Sequence, residues 1–583
     1  MFDLVLLSLG GVQRFISESR STADVAGASE IVQKLARIGA TAVTDQLVGS
    51  PEPCGLIFPA APGAGSVTNK IAFLAAAHAG PDIARAAARE ISAGWQAHLK
   101  ETFKPSQPPG TPGTPDLAWV SVTGTVADGD YRALWESAQQ EMVGRRRARV
   151  FEPFEIPGSR LCAQSPGLPA VAAPPTRPAH ERGEALSAAG WVKRHAASQR
   201  FPSTVSIASS AFRRRLLERA DADQDVAAAL RDPIRTLTEA LRDLNLHSDR
   251  AELRAVRPPA GLEPLAGRLG AWVTPERWDA EVIARECGTP PAEQIVHRGR
   301  TAANTLAGIA REAGVAAPSP YFAVVVQDLD RLGRALGDLD LDRQREVSGQ
   351  LSTLAERQSR LLEKQYPLAE LVYAGGDDLL AFCPAAEALR LAESLRRQVR
   401  DAAGTGPLAT AGSDGTPITA STGVVFAHMS NPLQDAVRSA QQAIAAAKSE
   451  TSAAGRSRDA LAVLVRRRGG QRAQTVQPWW PRTEDGASAT DLLGRIRPGP
   501  GSDALSAALG SELERDEALL HELTGEPELL RAELVRLVTR HGGTPEAGKA
   551  LYTLGRSERA GRRGAIAPVP AALVARFLSQ EAR

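Results

Sequence analysis

The chain has few cysteines, and no two of them lie close together in the sequence. Its 583 residues include only Cys54, Cys162, Cys287 and Cys383, with no Cys-x-x-Cys pair. A disulfide framework needs paired cysteines in a secreted chain, and a structural zinc site needs four clustered ligands. The cysteine pattern therefore specifies neither kind of cross-link.

The sequence also lacks a long apolar run and a strong excess of charge of either sign. No run approaches the roughly 20 apolar residues that a membrane-spanning helix needs. The amino terminus carries acidic Asp3 and has neither the basic segment nor the cleavage pattern of a secretory signal. We therefore expect a cytoplasmic protein with no membrane partner. The formal net charge of +2 gives no global electrostatic reason to expect nucleic-acid binding.

The most informative segment is a short stretch at residues 371–380. Two apolar runs flank Gly375, Gly376 and the adjacent carboxylates Asp377 and Asp378. Apolar runs around a Gly-Gly turn are typical of paired strands, and the turn places the two carboxylates at the tip. Because Mg²⁺ prefers oxygen ligands and shares them with substrate phosphates, this tip is a candidate cation site.

A second acidic pair supports the same interpretation. Residues 322–326 have the continuous apolar pattern of a buried strand, which ends at Asp328 and Asp330. Their spacing of two puts both side chains on one face if the strand continues through them. Strand, helix and acid-tipped hairpin in this order suit a two-metal nucleotidyl-transfer site, whose ions lie about 3.5–4 Å apart. The alternative, that each acidic pair only caps a neighbouring element, is disfavoured by finding both.

The following residues supply the rest of such a domain. Residues 417–426 are predicted to form a strand, and 432–448 have the apolar spacing of a helix that ends in Lys448. A lysine in the last turn can simply stabilise the helix dipole. Next to two carboxylate pairs, contact with a triphosphate is the better prediction. Residues 460–465 are predicted to close the sheet as its final strand.

With these elements assigned, residues 319–480 resemble the palm of the GGDEF and type III CRISPR class of nucleotide cyclases. Residues 375–378, Gly-Gly-Asp-Asp, match the signature hairpin. The fourth residue is Asp rather than Glu, and Leu379 replaces the Phe of diguanylate cyclases. These departures favour the CRISPR branch of the class.

The amino terminus resembles that same branch. Residues 7–35 are similar to the opening of the large subunit of type III-B (Cmr) complexes, where a strand precedes Gly-Pro-Val-Gln-x-Phe-Ile, although Gly11 stands here in place of Pro. By pattern alone, Phe2 to Leu9 form a strand and a helix begins at Val12. Since no acidic pair follows this strand, we predict a second, non-catalytic palm that packs on the first.

Two family features are expected to be missing. Relatives carry a zinc-binding insertion, but residues 159–163 resemble its first Cys-x-x-Cys with one ligand lost, and 183–194 resemble the second with both lost. One thiolate cannot hold a four-coordinate zinc, so we predict no structural zinc and apolar packing around Leu161, Leu186 and Trp191. None of the nine histidines precedes an Asp, and the first palm begins at residue 2. We therefore expect no HD nuclease domain and no HD nuclease activity.

Together these interpretations predict an α+β chain with two ferredoxin-like palm (GGDEF/cyclase-like) domains, helical insertions and a C-terminal helical bundle. The predicted domains are a first, non-catalytic palm (1–150), a degenerate zinc-finger-like insertion (151–200), a helical domain (201–318), the catalytic palm (319–480) and a C-terminal helical domain (481–583). The predicted core of the last domain is a set of leucines, namely Leu505, Leu509, Leu513, Leu519, Leu520, Leu523, Leu529, Leu530, Leu534 and Leu537.

The resemblance implies a subunit of a type III-B CRISPR RNA-guided antiviral complex. On target RNA binding, such a subunit polymerises ATP into cyclic oligoadenylate by nucleotidyl transfer with Mg²⁺ or Mn²⁺. The implied partners are other Cmr-type subunits, CRISPR RNA, target RNA and a small helical subunit at the C-terminal domain. The motif match assigns catalysis to Asp328, Asp377 and Asp378, metal binding to these three and Asp330, and nucleotide contact to Gly375, Gly376 and Lys448.

Three alternatives remain at this stage. A stand-alone diguanylate-type cyclase is disfavoured by Leu379 and by the amino-terminal palm. The same fold could instead conjugate ATP to S-adenosylmethionine, and the sequence does not separate these two products. A catalytically silent scaffold is disfavoured by the clustered carboxylates, since a decayed site has no physical reason to retain them.

Overall fold

The computed structural model describes residues 1–582 except for 64–67, 107–115, 128, 149–159, 178–180, 197–200, 247–251, 254–255, 413–414, 451–457, 471, 497–506 and 557–567. The amino-terminal unit is a four-stranded antiparallel sheet in the order β2-β3-β1-β4. Its elements are β1 (Phe2–Leu9), α1 (Val12–Ser17), α2 (Thr22–Gln46), β2 (Gly55–Phe58), β3 (Lys70–Ala76), α3 (Gly80–Phe103), β4 (Leu117–Gly124) and α4 (Asp130–Arg147). The first strand is as predicted.

The helix predicted from Val12 onward is divided in two. It stops at Ser17, and α2 starts afresh at Thr22 because the Ser21 hydroxyl caps it, accepting from the Asp24 amide at 3.1 Å.

The insertion after α4 packs against the amino-terminal helices. Its helix α5 (Ala188–Ala196) buries Trp191, and Leu186 is also fully buried. Leu161 is 67% exposed, so its predicted place in this core is wrong. Its neighbour Cys162 is buried there instead, because adjacent residues in an extended segment point to opposite sides.

An ion pair ties the insertion to α2. Arg194 donates from Nε to Asp24 Oδ1 at 2.6 Å and from Nη2 to Oδ2 at 3.0 Å, while Gln164 donates to the same Oδ2 at 2.8 Å. The Asp24 side chain is completely buried. Since a buried charge must be paired, this contact anchors the segment to α2.

Helices make up most of the next region, as predicted. They are α6 (Thr204–Ala222), α7 (Gln224–Asp243), α8 (Glu263–Ala266), α9 (Ala280–Cys287) and α10 (Glu293–Glu312), with 3₁₀ turns at Arg268–Trp272 and Pro275–Arg277. Their shared core includes Trp272 and Trp278.

The second sheet has six strands in the order β10-β9-β8-β5-β7-β6. Its elements are β5 (Tyr321–Leu329), α11 (Leu332–Gly337), α12 (Leu341–Gln365), β6 (Glu370–Ala374), β7 (Asp378–Pro384), α13 (Ala388–Ala403), β8 (Ala420–His428), α14 (Leu433–Lys448), β9 (Ala460–Arg466) and β10 (Arg472–Pro478). Two 3₁₀ turns lie at Ala385–Glu387 and Pro407–Ala409. Strands β8, β5, β7 and β6 are antiparallel and repeat the strand order of the first sheet, whereas β9 is parallel to β8.

Two strand predictions in this sheet need correction. Strand β8 begins at Ala420 rather than 417, because the preceding Ile418 amide bonds to the Leu408 carbonyl and not to a neighbouring strand. Strand β9 does not close the sheet, because β10 pairs with its outer edge. The β10 sequence is rich in polar residues, as an edge strand can be, so no apolar pattern predicts this strand. Its buried Gln477 donates to the Leu554 carbonyl at 2.7 Å.

The chain ends in a helical region that packs on β9 and β10. It comprises α15 (Ala489–Ile496), α16 (Ala507–Arg515), α17 (Glu517–Glu522), a 3₁₀ turn (Leu523–Gly525), α18 (Pro527–Arg540), α19 (Pro545–Gly555) and α20 (Pro568–Glu581). Most of the predicted leucine core is buried, but Leu519 and Leu529 are 58% and 55% exposed, so their assignment to it is wrong. Each directly precedes a buried leucine, Leu520 or Leu530, and successive residues of a helix lie about 100° apart around its axis. Leu505 lies outside the described residues.

Polar contacts hold the two sheets together. The Tyr131 hydroxyl donates to Gln344 Oε1 at 2.7 Å, and Ser29 donates to the Val372 carbonyl at 2.9 Å. On another side, Arg345 donates to the Pro53 carbonyl at 2.6 Å. These contacts fix one sheet relative to the other. Among the helices that the structure describes, none combines the length and the apolar character needed to span a membrane.

Candidate active site

The two predicted acidic segments lie side by side at the end of the second sheet. In the antiparallel register of β5 and β7, Asp328 is the direct partner of Asp378. Just beyond this pair, the Leu329 amide donates to the Asp377 carbonyl at 2.8 Å. Side chains directly opposite on antiparallel strands have Cβ atoms about 4.5–5.5 Å apart. The structure thus brings Asp328, Asp377 and Asp378 together from separate parts of the chain.

The two glycines of the turn are needed for different reasons. A Cβ on Gly375 would lie 2.9 Å from Oδ1 of Asp378, so any side chain there displaces this carboxylate. Gly376 has φ +89°, a conformation that favours glycine. The Gly375 amide closes the turn by donating to the Asp378 carbonyl at 2.8 Å. Both glycines therefore shape the hairpin, and their predicted contact with nucleotide stays a prediction.

Lys448 reaches the same carboxylates from the last turn of α14. Its Nζ lies 2.7 Å from Oδ1 of Asp328, and about a third of each side chain is exposed. The lysine is thus within reach of any phosphate that binds beside Asp328. Its predicted contact with a triphosphate stays a prediction.

The site concentrates negative charge at the tip of the hairpin. Burial raises the pKa of Asp378 to about 7, helped by the charges of Asp377 and Asp328 and opposed by a hydrogen bond from Tyr373 and by Lys70. Burial also raises the pKa of Asp328, against the pull of Lys448. A divalent cation would favour the ionised form of these groups.

Asp330 has a different environment from the other three carboxylates. It is 5% exposed and its oxygens accept from Thr419 Oγ1 at 2.8 Å, Ser421 Oγ at 2.8 Å and the Asp459 amide at 3.0 Å. Its own amide donates to the Thr419 carbonyl at 2.8 Å. Asp330 therefore joins the ends of β5, β8 and β9, and its predicted metal contact stays a prediction.

The carboxylates suit a cation that arrives with its substrate. Within the part of the chain that the structure describes, no three His, Cys, Asp or Glu side chains converge closely enough to hold a metal ion. Mg²⁺ is usually bound by one or two carboxylates together with water and substrate phosphates, rather than by an all-protein cage. The all-oxygen pair of Asp328 and Asp378, with Asp377 beside it, fits that kind of binding.

The carboxylates open onto a cleft of about 980 Å³ between the two sheets. The opposite wall comes from the amino-terminal unit and is rich in glycine and basic residues, namely Gly10, Gly11, Arg14, Lys70, Arg145 and Arg146. No sequence motif indicated that these residues belong to the site. The basic run at 145–147 was visible in the sequence, but only the packing of α4 beside β1 turns it toward the carboxylates.

Comparison with known proteins places the second sheet in a family. Residues 321–462 match the family model described as Cas10/Cmr2, second palm domain. No curated protein is significantly similar to the chain.

Two solved structures share the fold over nearly the whole chain. One is titled Type III-B Cmr-beta in the apo state, with a TM-score of 0.63, 14% identity and coverage of 99% of this chain and 81% of that one. The other is Type III-B Cmr-beta bound to cognate target RNA, with a TM-score of 0.61, 14% identity and coverage of 99% and 83%. The chain therefore carries a Cas10/Cmr2 second palm domain at residues 321–462, within a fold that it shares from end to end with the Cmr-beta chain.

Proposed function

We propose that this chain is the nucleotidyltransferase subunit of a type III-B CRISPR RNA-guided complex and polymerises ATP into cyclic oligoadenylate when target RNA binds. One observation carries the proposal. Asp328, Asp377 and Asp378 meet at a cleft with a basic opposite wall, inside a Cas10/Cmr2 palm domain. Chains of this fold occur in Cmr-beta structures, one of them bound to cognate target RNA.

In the proposed reaction, a ribose hydroxyl oxygen of one ATP bonds to the α-phosphorus of another. The bond between that phosphorus and the bridging oxygen of pyrophosphate breaks, and the hydroxyl proton is released. Asp328, Asp377 and Asp378 would hold Mg²⁺ or Mn²⁺, which would activate the hydroxyl and stabilise the departing pyrophosphate. Lys448 would exchange its contact with Asp328 for one with the triphosphate. A flexible lysine can make this exchange because its ammonium is a rotatable point charge.

The amino-terminal unit would act as the first palm, non-catalytic because no acidic pair follows β1. It would instead bind phosphates with Lys70, Arg145 and Arg146, which face the carboxylates across the cleft. Cations on one wall and metal-binding carboxylates on the other would hold two nucleotides with their reacting atoms between the sheets.

The remaining partners follow from the same proposal. Other Cmr-type subunits, CRISPR RNA and target RNA would assemble around the chain. The small helical subunit would dock on the carboxyl-terminal helices, where Leu519 and Leu529 expose apolar surface.

The test uses the reconstituted complex with labelled ATP, Mg²⁺ and matched target RNA, with products identified by mass spectrometry. We expect cyclic oligoadenylate from the native complex and at least a hundredfold less from Asp377→Ala/Asp378→Ala. The matched control Asp342→Ala/Asp401→Ala removes two carboxylates of the same domain that are 88% and 68% exposed, and it should retain the native rate.

Each outcome decides a different question. Equal product from the native and the Asp377→Ala/Asp378→Ala complexes would rule out this site. No product from either would leave a scaffold as the better interpretation. A product that appears only after S-adenosylmethionine is added would identify the site as a conjugating enzyme.

A further inference from the structure

Asp330 binds the start of β9 at a point where the backbone is strained. The amide that it accepts belongs to Asp459, which has φ +54°, and the preceding Arg458 has φ +89°. Non-glycine residues rarely adopt this region, so two consecutive ones strain the backbone. Such a conformation persists only when the surrounding contacts over-determine it.

Several contacts hold this strained pair in place. The Asp459 carbonyl accepts from the Trp479 amide at 2.9 Å, and its carboxylate accepts from Arg396 Nε at 2.8 Å. The Arg458 amide donates to the Glu450 carbonyl. Glu450 lies two residues after Lys448, so the strained pair is tied directly to the end of the helix that carries the lysine.

The contacts continue to the carboxyl-terminal region. The Arg396 side chain is 4% exposed and its guanidinium lies 4.9 Å from the centroid of the Trp480 ring. The preceding Trp479 carbonyl accepts from the Ala489 amide at the start of α15, at 2.9 Å. A continuous path of hydrogen bonds and one cation–π contact thus joins Asp330 to α15.

We propose that Asp330 is a positioning residue, not a metal ligand, and that with Asp459 and Arg396 it holds Lys448 in register with Asp328. The inference rests on the proposed function for its catalytic consequence. The three donors engage both oxygens of Asp330, and two of them belong to β8 and its approach, so these oxygens join strands. Loss of these bonds would release the start of β9 and, through Glu450, the end of α14. A displacement of about 1 Å at a catalytic group can cost up to a hundredfold in rate.

Two substitutions of Asp330 should differ in their effect on the strand junction. In Asp330→Asn, the amide oxygen can take the place of Oδ2 and accept from Asp459 and Thr419, while the amide nitrogen donates to Ser421. The strand junction is then preserved although the charge is lost. Asp330→Ala removes all three bonds. A metal ligand would behave differently, because both substitutions would remove the coordinating carboxylate.

The experiment measures Mn²⁺ binding by electron paramagnetic resonance, together with kcat and KM for ATP, in the reconstituted complex. We expect Asp330→Ala to lower kcat about tenfold or more, Asp330→Asn to recover at least threefold of that loss, and both to keep the Kd for Mn²⁺ within about twofold of the native value. Asp328→Asn serves as the reference for a lost ligand and should weaken Mn²⁺ binding at least tenfold. Weakening of that size in Asp330→Asn, or an unchanged kcat in Asp330→Ala, would overturn the proposal.

Two further measurements keep the proposal testable if Asp330→Ala does not fold or the complex makes no product. Arg396→Met lies away from the cleft, and we expect it to lower kcat severalfold without changing Mn²⁺ binding. Hydrogen exchange of a peptide covering residues 458–465 needs no turnover, and both Asp330→Ala and Arg396→Met should accelerate it whereas Asp328→Asn should not. Native exchange in Arg396→Met would show that the contacts do not hold β9. Absent Mn²⁺ binding by the native complex would instead count against the proposed function.

Discussion

Lys448 and Asp328 form an ion pair between the last turn of α14 and the end of β5, with Nζ 2.7 Å from Oδ1. The pair brings one cation into a group of three carboxylates. A metal ion that binds Oδ1 of Asp328 must compete with this lysine for the same oxygen. The lysine therefore weakens metal binding at Asp328 until a phosphate binds and takes over the contact with the lysine.

Replacement of this lysine should separate metal binding from catalysis. We expect Lys448→Met to lower oligoadenylate synthesis at least tenfold, because the triphosphate loses its contact. Mn²⁺ affinity without ATP should be unchanged or increase, because Asp328 is released from its ion pair. Lys364→Met is the matched control, since Lys364 is an exposed lysine in the last turn of another helix, α12. Weaker Mn²⁺ binding in Lys448→Met would contradict the competition.

The hairpin should not tolerate a side chain at Gly375. The Cβ of Gly375→Ala would lie 2.9 Å from Asp378 Oδ1 and displace that carboxylate, so activity should fall at least tenfold and Mn²⁺ binding should weaken. Gly349→Ala is the control, because a Cβ there meets nothing within 4 Å and the residue lies inside α12. That change should stabilise the domain by about 0.5–1 kcal/mol. Thermal melting and product assays measure both, and a fully active Gly375→Ala complex would refute the steric argument.

The raised pKa of Asp378 predicts how stability depends on pH in the absence of metal. A carboxyl whose pKa is about 7 when folded, against about 3.9 in the unfolded chain, favours folding below pH 4 and loses that contribution as the pH rises to 7. Asp378→Asn should therefore raise the melting temperature in chelator above pH 7, by roughly 2–4 °C for each kcal/mol of relieved repulsion. The gain should shrink toward pH 4. A gain that is the same at pH 4.5 and pH 8 would show that the charge is not its cause.

The insertion should depend on its ion pair for stability. Asp24→Ala leaves the largely buried Arg194 guanidinium with Glu184 as its hydrogen-bonded carboxylate, and breaking a buried pair costs up to about 3–5 kcal/mol. The matched control Asp82→Ala removes a 78% exposed carboxylate paired to Arg85 and should cost less than about 1 kcal/mol. Thermal melting compares the two, and added chelator should leave the native melting temperature unchanged. A large drop with chelator would reveal a bound metal ion on which the fold depends.

The strands of the second sheet were largely predictable, and the reason is local. Residues 322–326 are buried on both faces, with Phe322 and Val324 on one side and Ala323 and Val325 on the other, so the strand is a continuous apolar run. The edge strand β10 was not predicted, because its buried Gln477 is polar. A hydrogen bond to the Leu554 carbonyl stabilises this side chain in the interior. A run of apolar residues identifies a strand that buries apolar side chains, but not a strand that buries polar ones.

The candidate site was only half predictable. The motifs identified Asp328, Asp377, Asp378 and Lys448, and the register of β5 with β7 brings the acidic segments together. The motif also grouped Asp330 with them, because a spacing of two implies a shared face. The chain leaves β5 after Leu329, however, and Asp330 then turns to Thr419, Ser421 and Asp459.

By itself the sequence determined the acidic hairpin, its glycines and the apolar strand that ends at Asp328, since these depend on neighbours within a few residues. Only the tertiary structure decided which basic residues of the amino-terminal unit face the carboxylates, and which leucines of the last helices remain exposed. The physical reason is that the sheet-to-sheet cleft and the strained junction at Asp459 depend on contacts between segments far apart in the chain. No local sequence pattern indicates such contacts, because each segment would form the same helix or strand without the segment that it contacts.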